Sequence, residues 1–357
     1  RRGAEQVGRL GRGQRRRVGG AATKERIGSR RGAAKQIGRC RRGMVVSLLI
    51  SEANFDDGMK PIASGSGDRD VSPATKSRSI WTKHEDVSKK YHVILTSQSS
   101  DYLNWQSLVM YYHYKKQKAL TPCSDMGGFT RLLNTPDAQP DGLMDEIPTV
   151  LVRQLKGGVC DECDHHFVVM NRPWGLRQFL EHPAYARIPE SYLFIVETDH
   201  LLLRPPPNRA TEATPVGFGF YYMTYKYDPP KLRPVVAKYH DPDAVDPVGP
   251  SPVIIHKAQL RTVVEPYWQL CLTLKRDAAA NQAFGWVLEM WGYSIAAASV
   301  GVRHKIIRGY QIEPNANAGT SKTFNDDFYI FHYTYGIEYK LSGSAKPNPN
   351  PKPDPNP

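Results

Sequence analysis

The sequence predicts an α/β fold: a single domain over residues 89–340 built on a mixed, mostly parallel sheet. Three observations lead there. Short apolar runs of strand composition alternate with longer segments of helical spacing from about residue 90 to residue 335. One of those runs ends abruptly in two acids and a histidine, at the carboxyl end of a strand, where open α/β sheets bind their ligands. The two ends of the chain have compositions that build no core.

Residues 91–96 (YHVILT) are short, β-rich and followed by the polar Ser97-Gln98-Ser99-Ser100, which predicts a first strand and its loop. Residues 104–118 are helical, with Trp105, Leu108, Val109 and Tyr112 at i, i+3, i+4 and i+7. Gly127-Gly128 precedes a second strand at 129–133, and 148–155 and 167–170 are predicted as further strands, with a helix at 174–181. The run 192–196 is a buried strand stopping at Glu197-Thr198-Asp199-His200, with a second apolar run at 201–203. Residues 216–222 and 252–256 are predicted strands, 260–274 and 278–298 helices, and 329–335 (YIFHYTY) a last strand carrying His332. No internal repeat is present.

The chain has 357 residues and a net charge of +13. Residues 1–43 hold 15 Lys or Arg against Glu5 and Glu25, which accounts for all of it and leaves the remainder neutral. That segment is predicted disordered, 44–88 a linker, and 341–357 a Pro-rich extended tail. A neutral folded part argues against a nucleic-acid partner. No run of 18 apolar residues exists to span a membrane. Residues 44–50 (MVVSLLI) begin like a signal core but break at Ser51, Glu52 and Asn54, so membrane attachment would need an anchor absent from this chain.

The five cysteines, Cys40, Cys123, Cys160, Cys163 and Cys271, do not describe a disulfide-stapled domain. Cys160 to His166 looks like half a zinc site, but no second Cys/His pair completes it. A surface loop or a local Cys160–Cys163 disulfide is the expectation there.

Two acids one residue apart at a strand end are hard-cation ligands within reach of a phosphate. This is the layout of the acidic-x-Asp motif of nucleotide-sugar glycosyltransferases; its bland alternative is an acidic turn. The candidate metal ligands are Glu197, Asp199 and His332, the last having a satisfied core histidine as its alternative. Thr96, Arg131, Arg172 and Asp199 are the candidate donor-binding residues, Arg172 lying at the opening of a helix beside Pro173. Asp199 and Glu289 are the candidate catalytic residues. Glu289 sits in an apolar helical segment, where a carboxylate needs either an Arg or Lys partner or an acid/base role. Ser251-Pro252 is a weaker candidate for shaping an acceptor loop.

The blocks MYYHYKK (110–116), GGFTRLL (127–133), VVMNRPW (168–174), ETDH with a following Arg-Pro-Pro-Pro-Asn (197–208), AFGWVLEMWGY (283–293) and HYTYG (332–336) resemble the plant and green-algal hydroxyproline O-arabinosyltransferases. The resemblance covers residues 90 to 340. It implies a GT-A-like domain and a type II protein of the Golgi lumen. It further implies a divalent metal, Mn²⁺ ahead of Mg²⁺, and a UDP-sugar donor, UDP-β-L-arabinofuranose. The acceptor would be a hydroxyproline-containing peptide, and transfer would proceed with net retention. The family's acidic-x-Asp-His stretch falls on Glu197, Asp199 and His200, its tryptophan-glutamate block on Trp286 and Glu289, and its terminal histidine on His332. A serine O-galactosyltransferase acting on the same class of protein, and a non-catalytic glycan- or peptide-binding protein, are the alternatives.

Overall fold

The computed structural model describes residues 87–155, 167–307, 309–312 and 328–333. The expectations for 1–43, 44–86, the Cys160–His166 loop and the C-terminal tail lie outside them.

In chain order the elements are β1 (Tyr91–Gln98), α1 (Asp101–Leu120), β2 (Met126–Thr135), β3 (Thr149–Arg153), α2 (Asn171–Glu181), α3 (Pro183–Arg187), β4 (Tyr192–Glu197), β5 (His200–Leu202) and β6 (Val216–Gly217). They continue with α4 (Pro229–Val236), β7 (Val253–His256), α5 (Lys257–Arg276), α6 (Ala278–Phe284), α7 (Leu288–Ser299), β8 (Lys305–Ile306), β9 (Gln311–Ile312) and β10 (Ile330–His332). Among the described residues they form a seven-stranded sheet, β3-β2-β1-β4-β7-β6-β8, and a small sheet, β5-β10-β9. In the large sheet β1–β2, β1–β4, β2–β3 and β6–β8 run parallel, whereas β4–β7 and β6–β7 are antiparallel. The mixed, mostly parallel α/β sheet is as the sequence predicts.

Strict alternation explains why the sheet is covered on both faces. Ile94 of β1, Leu193 and Ile195 of β4, and Val253 and Ile255 of β7 face one core with α2, α5 and α7. Tyr91, Val93, Leu95, Phe194, Val196 and Ile254 face the other, where Met110 and Tyr114 of α1 and Leu202 and Ile330 of the small sheet pack.

Four expectations are corrected. Residues 167–170 are not a strand: Val168–Met170 is a single 3₁₀ turn leading into α2, with Phe167 and Met170 buried and Val168 exposed. A four-residue apolar run fits either state, and burial at a spacing of three decides it. The 216–222 strand shrinks to Val216–Gly217. The 278–298 helix is broken, because Gly285 takes φ +51° and ends α6 before α7 begins. On α1, Trp105 and Tyr112 are exposed, and the face that turns inward carries Gln106, Ser107, Met110, Tyr114 and Gln117.

Candidate active site

The order β3-β2-β1-β4 reverses direction at β1, so the crevice between the carboxyl ends of β1 and β4 is the topological switch point. A cleft of about 350 Å³ opens there, with Thr96, Gln98, Gln106, Asn134, Arg172 and Asp199 in its walls. Ser100 caps α1 by accepting the Leu103 N–H at 3.2 Å, which fixes the loop leaving β1. Asn171 ties α2 to the same loop: its Nδ2 donates to Gln98 Oε1 at 2.9 Å, and its Oδ1 accepts the Leu155 N–H at 2.8 Å.

The small sheet completes the site. β10 pairs antiparallel with β5, in a register that sets His332 opposite His200. The two imidazoles meet edge to face with centroids 4.6 Å apart. Asp199 Oδ2 lies 3.2 Å from His332 Nε2. Asp199, His200 and His332 thus offer three ligand atoms within 4.8 Å of one another. His200 is fully buried and its Nε2 has no hydrogen-bond partner, while its Nδ1 accepts the Glu197 N–H at 3.3 Å. Burial, and then the neighbouring His332, hold the His200 imidazole well below its usual pKa and therefore neutral, the form that ligates. Gln311 Nε2 stands 3.0 Å from His332 Nδ1 and orients that ring.

Glu197 stands apart from this group. Its carboxylate pairs with Arg172 Nη2 at 3.1 Å, while Arg172 Nη1 donates to Glu289 at 3.0 Å. Arg172 therefore bridges two carboxylates, which corrects the expectation of a guanidinium free to grip a phosphate. Burial opposes the Arg172 charge, but Glu197, Glu289 and Asp199 more than reverse that effect and keep it cationic. Glu289 is only 2% exposed and also accepts from the Tyr267 hydroxyl. Burial pushes its carboxyl up to about 7 despite Arg172. Both its oxygens are engaged beneath Arg172, so it reaches the cleft through that side chain.

Arg131 is corrected outright. It is fully buried, with Nε donating to Thr149 at 3.0 Å and Nη1 and Nη2 to Asp141 at 2.9 and 2.6 Å. Buried in this pair, it does not line the cleft. Thr96 does line the cleft, its hydroxyl donating to the Val196 carbonyl at 3.3 Å. Ser251 is buried, with its hydroxyl on the Ile195 carbonyl at 3.4 Å, so Ser251-Pro252 braces β4 and shapes no exposed acceptor loop.

His200, marked in the sequence beside the two acids, joins Asp199 and His332, whereas Glu197 does not. One feature escaped the sequence reading. An aromatic edge, Tyr102 against Trp105 and Trp105 stacked on Tyr333 at 6.1 Å, flanks the cleft and had no local signature. Cys123 is disulfide-bonded, and Cys271 is a buried free thiol. No helix of the described residues is long and apolar enough to cross a membrane.

Residues 91–306, which span β1, the cleft and α7, match the hydroxyproline O-arabinosyltransferase family N-terminal domain. The chain belongs to this family. It is 42% identical over 258 residues to hydroxyproline O-arabinosyltransferase 3 of Arabidopsis thaliana, covering 71% of this chain and 67% of that protein. To the hydroxyproline O-arabinosyltransferase RDN2 of Medicago truncatula it is 42% identical over 267 residues, covering 73% and 69%. A peptidyl serine alpha-galactosyltransferase of Arabidopsis thaliana is 24% identical, with 71% of this chain but 30% of that protein covered. A crystal structure of the galactosyltransferase LgtC with donor and acceptor sugar analogues gives a TM-score of 0.38 at 10% identity, covering 69% of this chain and 88% of that one. That is a distant likeness. Membership of the family makes this chain a glycosyltransferase.

Proposed function

We propose that this enzyme transfers L-arabinofuranose from UDP-β-L-arabinofuranose to the hydroxyl of hydroxyproline in secreted or cell-wall peptides, with retention and with help from a divalent cation. The observation that carries the reading is the Asp199–His200–His332 group at the switch-point cleft of a chain in this family. The donor set fits a metal: one carboxylate and two imidazoles, one of them buried, neutral and unpartnered at Nε2. A mixed nitrogen and oxygen set favours Mn²⁺ over Mg²⁺, which prefers oxygen. Bound there, the cation would supply Lewis-acid neutralisation of the departing diphosphate.

The chain's own residues then have distinct tasks. Asp199, His200 and His332 would hold the ion, and Gln311 fixes the His332 ring. Thr96 and Gln98 line the wall available to the nucleotide. Arg172 keeps Glu197 directed into the cleft and presents a fixed positive charge beside the leaving group. Glu289 is assigned a positioning role through Arg172, because its oxygens are engaged and its carboxyl is sequestered. That assignment favours a front-side transfer over a covalent intermediate on Glu289. The acceptor oxygen bonds to the anomeric carbon as the bond to UDP breaks, and its proton passes to the departing phosphate oxygen.

A Golgi-lumenal setting is supported by the Cys123 disulfide, since such bonds persist in oxidising compartments. The test is incubation with each UDP-sugar, with and without a chelator, on peptides bearing hydroxyproline, proline or serine at one position. Pentose transfer to hydroxyproline that stops on chelation is the expected result. Galactose transfer to serine, or no transfer, would overturn the reading.

A further inference from the structure

Trp286 is 64% exposed, a rare state for the largest side chain. The backbone holds it there. Gly285 at φ +51° ends α6, and the short turn that follows lifts residue 286 out of the helical path. The indole does not hang free, because its ring meets Phe167 edge to face at 5.5 Å and 88°. Phe167 is itself buried and covered by the Lys275 ammonium at 4.4 Å from its centroid. Val168, 48% exposed, lines the same cavity as Trp286. A supported apolar step therefore stands in the wall of the cleft that contains Arg172, Glu197 and Asp199.

Resting on the transfer proposed above, we infer that Trp286, with Val168 beside it, is the platform on which the acceptor's pyrrolidine rings lie. A proline-type residue has no backbone N–H to offer, so a site cannot select it by accepting that hydrogen bond. What a proline-rich chain does present is a stiff polyproline II helix with apolar ring faces outward. Aromatic surfaces are the general means of recognising such a chain. The occupant is fixed by continuity with the reacting centre. Trp286 lies three residues before Glu289, whose carboxylate holds Arg172, so a ring seated on the indole is delivered beside the Arg172–Glu197 pair. Recognition is thereby separated from chemistry: Trp286 selects the chain and Asp199 serves the donor.

The test uses the full chain and two synthetic peptides, one hydroxyproline flanked by prolines and one flanked by alanines. Trp286→Ala should raise the KM for the proline-flanked peptide by about tenfold, the scale of one lost aromatic contact, with the donor KM moving less than about twofold. Trp286→Phe, which keeps a ring, should recover most of that loss. On the alanine-flanked peptide the Trp286→Ala effect should shrink, because the partner rings are already gone. An unchanged acceptor KM in Trp286→Ala would overturn the platform while leaving the transfer reading intact. A rise confined to the donor KM would assign the indole to the nucleotide and also overturn it. Failure of the unaltered protein to modify either peptide would overturn the transfer reading, and the platform with it.

Discussion

Asp199 Oδ2 and His332 Nε2 are 3.2 Å apart, and the Tyr333 N–H donates to the Asp199 carbonyl at 3.2 Å. The contact is enforced by backbone pairing as well as by side chains. β10 lies against β5 in fixed antiparallel register, so His332 cannot slip without breaking its strand.

On the proposed metal site, Asp199→Ala and His332→Ala should each abolish transfer and weaken Mn²⁺ binding by at least about a hundredfold, since each would remove one of the three ligand atoms. Calorimetric titration of the folded protein with Mn²⁺, and of UDP with and without the ion, checks this. UDP binding that ignores the metal in the unaltered protein would refute it.

Arg172→Lys should not substitute for arginine, because one ammonium cannot bridge Glu197 and Glu289 as the planar fork does. Turnover should fall by about tenfold or more while the protein stays folded. Arg172→Ala leaves Glu289 buried without its cation and should destabilise the fold on the order of 3–5 kcal/mol, measurable by denaturant titration.

Glu289 carries a pH signature. Its carboxyl titrates at about 7 in the folded chain against a usual 4.5, so the folded state holds the proton more tightly than the unfolded one. The stability it contributes is fully present below about pH 4.5 and is lost as the pH rises to about 7. Glu289→Gln imitates the protonated acid and should flatten that part of the stability–pH curve, with little loss at pH 6. A variant whose curve runs parallel to the parent's from pH 4.5 to 7 would refute the assignment.

Arg131→Ala should cost stability on the order of 3–5 kcal/mol by stranding Asp141, and should leave the KM for the donor within about twofold when assayed at low temperature. A large rise in donor KM in folded protein would restore the phosphate-binding expectation.

The cleft was legible in the sequence because strand runs ending in acids have one usual location in an α/β sheet. The exchange of roles between Glu197 and His200 was not. Spacing puts both beside Asp199, and only the three-dimensional approach of Arg172 takes the Glu197 carboxylate while His200 turns to His332. Arg131 lies within a predicted strand and Arg172 at the opening of a helix; Asp141 and Glu289 decide what each guanidinium does, and neither pairing has a sequence-local signal. The helix break at Gly285 was hidden by the apolar continuity of residues 278–298. A single positive-φ glycine outweighs that pattern because nothing else in the segment reveals a turn.

That break also partitions how the protein tolerates change. Residue 286 looks into solvent and residue 289 into the interior, although one short turn separates them. Substitution at 286 meets the cleft and hardly the fold, while any substitution at 289 that does not keep the shape of the protonated acid meets the fold first. A change of the outward ring therefore alters the wall of the cleft while leaving the charged scaffold below it in place.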